Sequence, residues 1–241
     1  LLARAIGLAF ALPLAWFWFK RAIPAGYHGR LLGLLALGGL QGAVGWWMVK
    51  SGLTQDVKVS HIRLATHLSL ALTTLALLVW TALDADAGQP RQDNPTRWRA
   101  GALAFLGAAY LQSLLGALVA GSHAGFIYND WPLMNGALFP KDYAGEGLWA
   151  TLAHNQASVQ FHHRIGAYLL LAAGLTVAGM AWRARYLAAE ARVLGLAVGG
   201  VVLLQAVLGV ATLMAGVPLW LGILHQLGAA ILLATATAFA W

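Results

Sequence analysis

The chain has 241 residues, of which 60% are hydrophobic and only 10% carry a charged side chain. Soluble domains carry about 25% charged residues, so the composition excludes a soluble globular protein. The formal net charge of +7 does not indicate nucleic-acid binding, because the basic residues follow the membrane topology given below. The absence of cysteine excludes disulfides, thiolate metal sites and thiol nucleophiles within these residues.

Long apolar segments predict an all-α fold, a polytopic transmembrane helical bundle with seven spans. A helix needs about 20 residues to cross the hydrocarbon core, and it satisfies its own backbone polar groups there. In chain order the predicted spans are 1–19, 31–49, 62–83, 101–121, 158–182, 193–215 and 218–240. Because the first span opens without an initiator Met or a signal peptide, we expect the chain to be a piece of a longer protein.

The loops on the two sides of the predicted bundle differ in positive charge. One side carries nine basic residues: Lys20, Arg21, Arg30, Arg91, Arg97, Arg99, Arg183, Arg185 and Arg192. The other side carries four: Lys50, Lys58, Arg63 and Lys141. Positive residues favour the cytoplasmic side. The side with fewer basic residues, which includes the long loop 122–157, is therefore predicted to face outward.

Two segments of the chain, 31–53 and 193–217, are similar to each other. They share a glutamine followed by glycines four and eleven residues later, namely Gln41, Gly45, Gly52 and Gln205, Gly209, Gly216. A weaker third copy keeps Gln112 and Gly116 but has His123 at the last position. These residues share one helix face, where small side chains allow close packing and glutamine bonds between helices. Bundle packing explains them without a ligand.

Three histidines lie a turn or two inside hydrophobic helices: His67, His163 and His225. Imidazole needs a protein partner or a metal in such surroundings. Two histidines from two helices at one depth suit a six-coordinate haem iron better than zinc, which takes more protein ligands. We predict that His163 and His225 bind haem iron and that Arg164, His154 or donors of the outer loop neutralise the haem propionates. The repeat gives His67 a partner whose position would precede Leu1.

The predicted outer loop is rich in Gly, Pro, Asn, Asp and aromatic residues, which is typical of a structured loop. Its aromatic side chains fit either a membrane-interface belt or a lid over a pocket: Tyr128, Trp131, Phe139 and Trp149.

Four segments together resemble the haem A synthase family, in its alphaproteobacterial and mitochondrial branch. They are SHIRLATHLSLAL (60–72), AGFIYNDWPLMNG (124–136), QFHHRIGAYLL (160–170) and LGILHQLGAAILL (221–233). The resemblance implies a multi-pass protein of the bacterial inner membrane, with haem sites toward the periplasm. It also implies two pseudo-symmetric four-helix halves, 1–99 without its first helix and 100–241 with the loop 122–157.

In that family pattern, His163 and His225 would bind haem b and Arg164 would lie beside it. His67 would hold the iron of the substrate, haem o, in the catalytic half. The implied reaction oxidises the C8 methyl group of haem o to a formyl group through two hydroxylations, giving haem a for terminal oxidase biogenesis. The catalytic acid and the partner of His67 would precede Leu1. We therefore expect this chain to bind haem b and to form no haem a.

The implied partners are the lipid bilayer and a membrane electron donor such as a quinol, with a haem o synthase and oxidase assembly proteins as further candidates. The stripes of small residues suit internal packing and a homo-oligomer equally well. Two other functions stay open at this point. One is a bis-histidine electron-transfer cytochrome, and the other is a transporter or scaffold without a cofactor.

Overall fold

The computed structural model describes residues 2–51, 59–87 and 95–241. Over these ranges the chain forms seven α-helices and no strand. They are α1 (Leu2–Phe19), α2 (Tyr27–Ser51), α3 (His61–Ala87), α4 (Thr96–Gly121), α5 (Gln156–Arg183), α6 (Ala189–Met214) and α7 (Leu219–Ala240). Leu1, Gly52, Lys58 and Arg91, which the sequence analysis named, lie outside the described residues.

All seven predicted spans are helical, so the prediction of an all-α membrane bundle is confirmed. The helices α2 to α7 are long and apolar enough to cross a membrane, whereas the apolar part of α1, Arg4–Phe19, is shorter. Large apolar side chains on their outer faces are exposed, as expected of surfaces that contact lipid. The protein is therefore a multi-pass membrane protein.

The helices α4 to α7 pack in a ring in which each contacts two others. The helix α3 lies against α4 and α7, α2 packs on α3, and α1 packs on α2. The main core lies inside the ring, around Trp98, Phe105, Val198 and Phe239. The backbones of α5 and α6 can come close because Gly199 has no side chain. A Cβ atom on Gly199 would collide with the Cβ atom of Ala178.

Short connections set the direction of successive helices. Between α6 and α7, Gly216 and Val217 have positive φ angles and Pro218 caps the next helix. At the start of α5, the Asn155 side chain accepts a hydrogen bond from the Ser158 backbone N–H. Since neighbouring helices run in opposite directions, α3, α5 and α7 all begin at the same end of the bundle. We call this end the histidine end.

A buried carboxylate joins three helices near the opposite end. Asp84, only 7% exposed, accepts hydrogen bonds from the Arg30 guanidinium and from the Trp241 indole, the latter at 2.6 Å. The three residues belong to α3, to α2 and to the position after α7. A buried carboxylate requires such donors, because removing it from water without them is costly.

We expect Asp84→Ala to destabilise the protein by about 1.5–3 kcal/mol, because hydrogen bonds to charged groups contribute that much. Asp84→Asn retains an acceptor for the indole and is expected to cost less. Thermal unfolding in detergent micelles measures both changes. The matched control is Asp86→Ala, which removes an exposed carboxylate from the same helix. Equal melting temperatures for Asp84→Ala and Asp86→Ala would contradict this role for Asp84.

Candidate functional site

The three predicted histidines lie at matching depths below the histidine end. His67 and His225 each follow the first residue of their helix by six positions, and His163 follows it by seven. At 1.5 Å per residue these positions lie about 9–10 Å inside the helices. The equal depth predicted from the sequence is therefore present in the fold.

His163 and His225 face each other across the ring of α4 to α7. Their ring centroids are 6.5 Å apart and their planes are perpendicular. Two imidazoles on opposite sides of one metal, with metal–nitrogen bonds of about 2.0–2.1 Å, place their centroids about 6.4 Å apart. The pair thus has the spacing of two axial ligands, and the neutral nitrogen donors suit haem iron.

A glutamine from the neighbouring helix holds each of these two histidines. The Gln112 amide nitrogen donates to the His163 carbonyl oxygen at 2.9 Å and lies 3.0 Å from His163 Nδ1. In the same way, Gln205 donates to the His225 carbonyl oxygen at 2.7 Å and lies 3.1 Å from Nδ1. Each amide therefore fixes both the backbone and the ring of its histidine, and we call this arrangement the Gln–His contact.

Each Gln–His contact requires a glycine four residues after the glutamine. A Cβ atom on Gly116 would lie 3.1 Å from His163 Cε1, and one on Gly209 would lie 3.0 Å from His225 Cε1. The sequence analysis explained these glycines by packing alone. In the structure they make room for the imidazole rings, so any side chain there would displace the histidine.

The same arrangement surrounds His67. Gln41 donates to the His67 carbonyl oxygen at 3.2 Å, and a Cβ atom on Gly45 would lie 3.0 Å from His67 Cε1. One detail differs: the Gln41 amide nitrogen lies 3.3 Å from Nε2, and Nδ1 is buried without a hydrogen-bond partner. The structure thus repeats one arrangement three times, with a variation at His67.

Comparisons with known proteins show which family the chain belongs to. A family model described as cytochrome oxidase assembly protein matches residues 1–237. Haem A synthases of Caulobacter vibrioides and Caulobacter sp. strain K31 are 59% and 58% identical over the whole chain, which covers 70% of each. That of Novosphingobium aromaticivorans is 48% identical over 98% of the chain and 68% of its own length. The chain belongs to the haem A synthase family.

Membership of the haem A synthase family confirms the resemblance that the four motifs carried, including its alphaproteobacterial branch. Haem A synthases are oxidoreductases, so the protein is an enzyme of haem a biosynthesis. The electron-transfer cytochrome and the scaffold without a cofactor are not favoured.

The outer loop is folded onto the histidine end through Arg164. The guanidinium donates from Nη1 to the carbonyl oxygens of Asp130 and Leu133, and from Nη2 to that of Tyr128. Arg164 is only 8% exposed, and its Nε is buried without a hydrogen-bond partner. The sequence analysis predicted that Arg164 interacts with an anion, the haem propionate. In the structure its guanidinium donates three hydrogen bonds to carbonyl oxygens of the loop.

The loop has its own ordered turn next to Arg164. The Asp130 carboxylate accepts hydrogen bonds from the backbone N–H groups of Asn135 and Gly136, and these donors lower the pKa of Asp130. Its contribution to the turn is therefore complete above the unfolded pKa of about 3.9 and is lost as the pH falls through the lower folded pKa. Asn129 ties the loop to α6 by donating to the Leu213 carbonyl oxygen. The predicted structured loop is thus present.

The remaining histidines at this end contact aromatic side chains. His162 lies 2.8 Å from the Tyr143 hydroxyl, and His61 packs edge-on against His154 with centroids 4.7 Å apart. His123, in the left-handed region, lies near Phe126. Among the described residues no group of three His, Asp or Glu side chains has the spacing of a metal site.

We expect Arg164→Gln to loosen the outer loop, because it removes hydrogen bonds of a charged donor, each contributing about 1.5–3 kcal/mol. Loss of one such bond corresponds to a rise of at least about tenfold in the fraction of open loop. Trypsin cleavage after the exposed Lys141 measures this fraction. Arg63→Gln, on α3 at the same end, is the control, and similar cleavage rates in both variants would refute the role of Arg164.

Proposed function

We propose that this protein binds haem b between His163 and His225, in a half formed by residues 100–241. The observation that carries the proposal is the 6.5 Å separation of the two ring centroids. Support comes from the glutamines, which orient both rings, since partners of ligating histidines fix the ring orientation. Haem b, when bound, would supply one-electron transfer.

The half formed by residues 1–99 then takes the substrate, haem o. His67 is the candidate for its iron ligand, because it lies at the depth of His225 and has the same glutamine and glycine neighbours. The reaction is oxidation of the C8 methyl group of haem o to a formyl group. In this assignment His67 is the catalytic residue of the described chain, since it touches the substrate.

The charges around the second-half site favour an anionic group there. Arg164 is buried one residue after His163, and its Nε has no hydrogen-bond partner. Within the described ranges no carboxylate is hydrogen-bonded to its guanidinium, which donates to carbonyl oxygens and interacts only electrostatically with Asp130. A haem propionate at the histidine end would provide a hydrogen-bond acceptor for Nε and a negative charge beside the guanidinium of Arg164.

The orientation in the membrane follows from the basic residues. Lys20, Arg21, Arg183 and Arg185 lie at the end opposite to the histidines, which favours that end as the cytoplasmic one. The haem sites would then face the periplasm. A membrane donor such as a quinol would supply the electrons, and a haem o synthase would supply the substrate. Association with oxidase assembly proteins or with a second copy of the chain fits the exposed apolar faces equally well.

The haem b assignment is tested by the absorption spectrum of the purified chain. We expect a Soret band of a low-spin b-type haem, which His163→Ala and His225→Ala each abolish because either change removes an axial ligand. His162→Ala and His123→Ala are the matched controls and should keep the band. An unchanged spectrum in both ligand variants would disprove the assignment.

The activity is tested in a hybrid in which this chain replaces the matching 70% of the Caulobacter vibrioides relative. In cells that make haem o, we expect the hybrid to form haem a, measured by extraction and chromatography of the haems. His67→Ala in the hybrid should stop haem a formation, whereas His123→Ala should not. Bound haem b with no haem a in the hybrid would favour the electron-transfer cytochrome instead.

A further inference from the structure

The three Gln–His contacts differ at the third residue after each histidine. In the second half this residue is a glycine, Gly166 after His163 and Gly228 after His225. In the first half it is Leu70, three residues after His67. Residues three apart lie on the same helix face. In the second half this third residue lies beside the glutamine that holds the histidine, because a Cβ atom on Gly166 or Gly228 would contact the Gln112 or Gln205 side chain.

The two glycines give the glutamines their position. A Cβ atom on Gly166 would collide with Gln112 Oε1, and one on Gly228 would collide with Gln205 Oε1. The amide oxygens therefore occupy the space of a missing side chain. This position brings the amide nitrogens to 3.0 and 3.1 Å from the Nδ1 atoms and to 2.9 and 2.7 Å from the carbonyl oxygens.

Leu70 has a side chain at the corresponding position in the first half, and there the Gln41 amide makes different contacts with its histidine. Its nitrogen is 3.3 Å from His67 Nε2 and 3.2 Å from the carbonyl oxygen, both longer than the matching distances in the second half. Nδ1 of His67 is buried without a hydrogen-bond partner. His67 is therefore held less tightly, and its Nε2, one of the two nitrogens that can ligate a metal, faces an amide.

We propose that this residue determines how firmly each half retains its haem. Glycine fixes His163 and His225 as ligands of a resident haem, whereas Leu70 leaves His67 as an exchangeable ligand. The inference rests on the proposed function, because a substrate haem must enter and its product must leave. Gly166, Gly228 and Leu70 are thus positioning residues that act through the glutamines.

The test is the rate at which haem b leaves the purified chain for excess apomyoglobin. Gly166→Leu introduces the first-half residue into the second half. We expect release to become about 10- to 100-fold faster, the usual effect of losing a partner of a metal ligand. The matched control is Gly179→Leu on the same helix, where a side chain meets open space, and its rate should equal that of the original chain.

A milder variant keeps the test decisive if Gly166→Leu fails to fold. Gly228→Ala adds only the Cβ atom that collides with Gln205 Oε1, and Gly200→Ala in open space on α6 is its control. Faster haem release and a shifted low-spin spectrum in Gly228→Ala support the inference. Release as slow as in Gly200→Ala overturns it while the haem b assignment stands. If the original chain shows no haem b band, the proposed function fails and this inference with it.

The reciprocal change concerns the first half. In the hybrid loaded with haem o, Leu70→Gly is expected to slow haem o release by at least about tenfold, because Gln41 gains the position that Gln112 has. Leu77→Gly, at an exposed position of the same helix, controls for the loss of helix propensity. Release no slower than in Leu77→Gly overturns the assignment to Leu70.

Discussion

The structure depends on the hydrogen bonds between a glutamine of one helix and a histidine of the next. An imidazole inside an apolar bundle needs a partner, because water is scarce and an unpaired polar group is costly there. One amide supplies two contacts, to the ring and to the backbone carbonyl of the same residue. The contact fixes the register of α2 on α3, of α4 on α5 and of α6 on α7, and with it the direction of each histidine.

Close packing follows from the same contacts. The imidazole lies between two helices, so the neighbouring helix must lack a side chain where the ring passes, at Gly45, Gly116 and Gly209. Glycine weakens a helix in water by about 1 kcal/mol relative to alanine. In a membrane bundle close packing offsets this cost. A stripe of small residues thus serves helix packing and the placement of the imidazole rings together.

Few acidic side chains are available to pair with the basic residues at the histidine end, since the chain has only eight Asp and Glu residues. Arg164 is satisfied by carbonyl dipoles of the loop, while the Asp130 carboxylate accepts hydrogen bonds from its own turn. The guanidinium therefore orders the loop through carbonyl oxygens, and the Asp130 carboxylate interacts with it electrostatically without a hydrogen bond between them. Its remaining positive charge lies beside His163, where the proposed haem would place its propionates.

The sequence predicted the helices and the matched histidines because apolar length and spacing are local properties. It missed the Gln–His contact, since the spacing of Gln112 and Gly116 gives their helix face but not the residue opposite. Helix ends also differed, because α2 begins at Tyr27 and α3 continues to Ala87 beyond the apolar segments. An internal repeat gives the repeated segments the same framework, so the different roles proposed for them must come from residues that break the repeat. Leu70 breaks it three residues after His67, whose Nε2 lies next to the Gln41 amide, whereas in His163 the nitrogen next to the Gln112 amide is Nδ1.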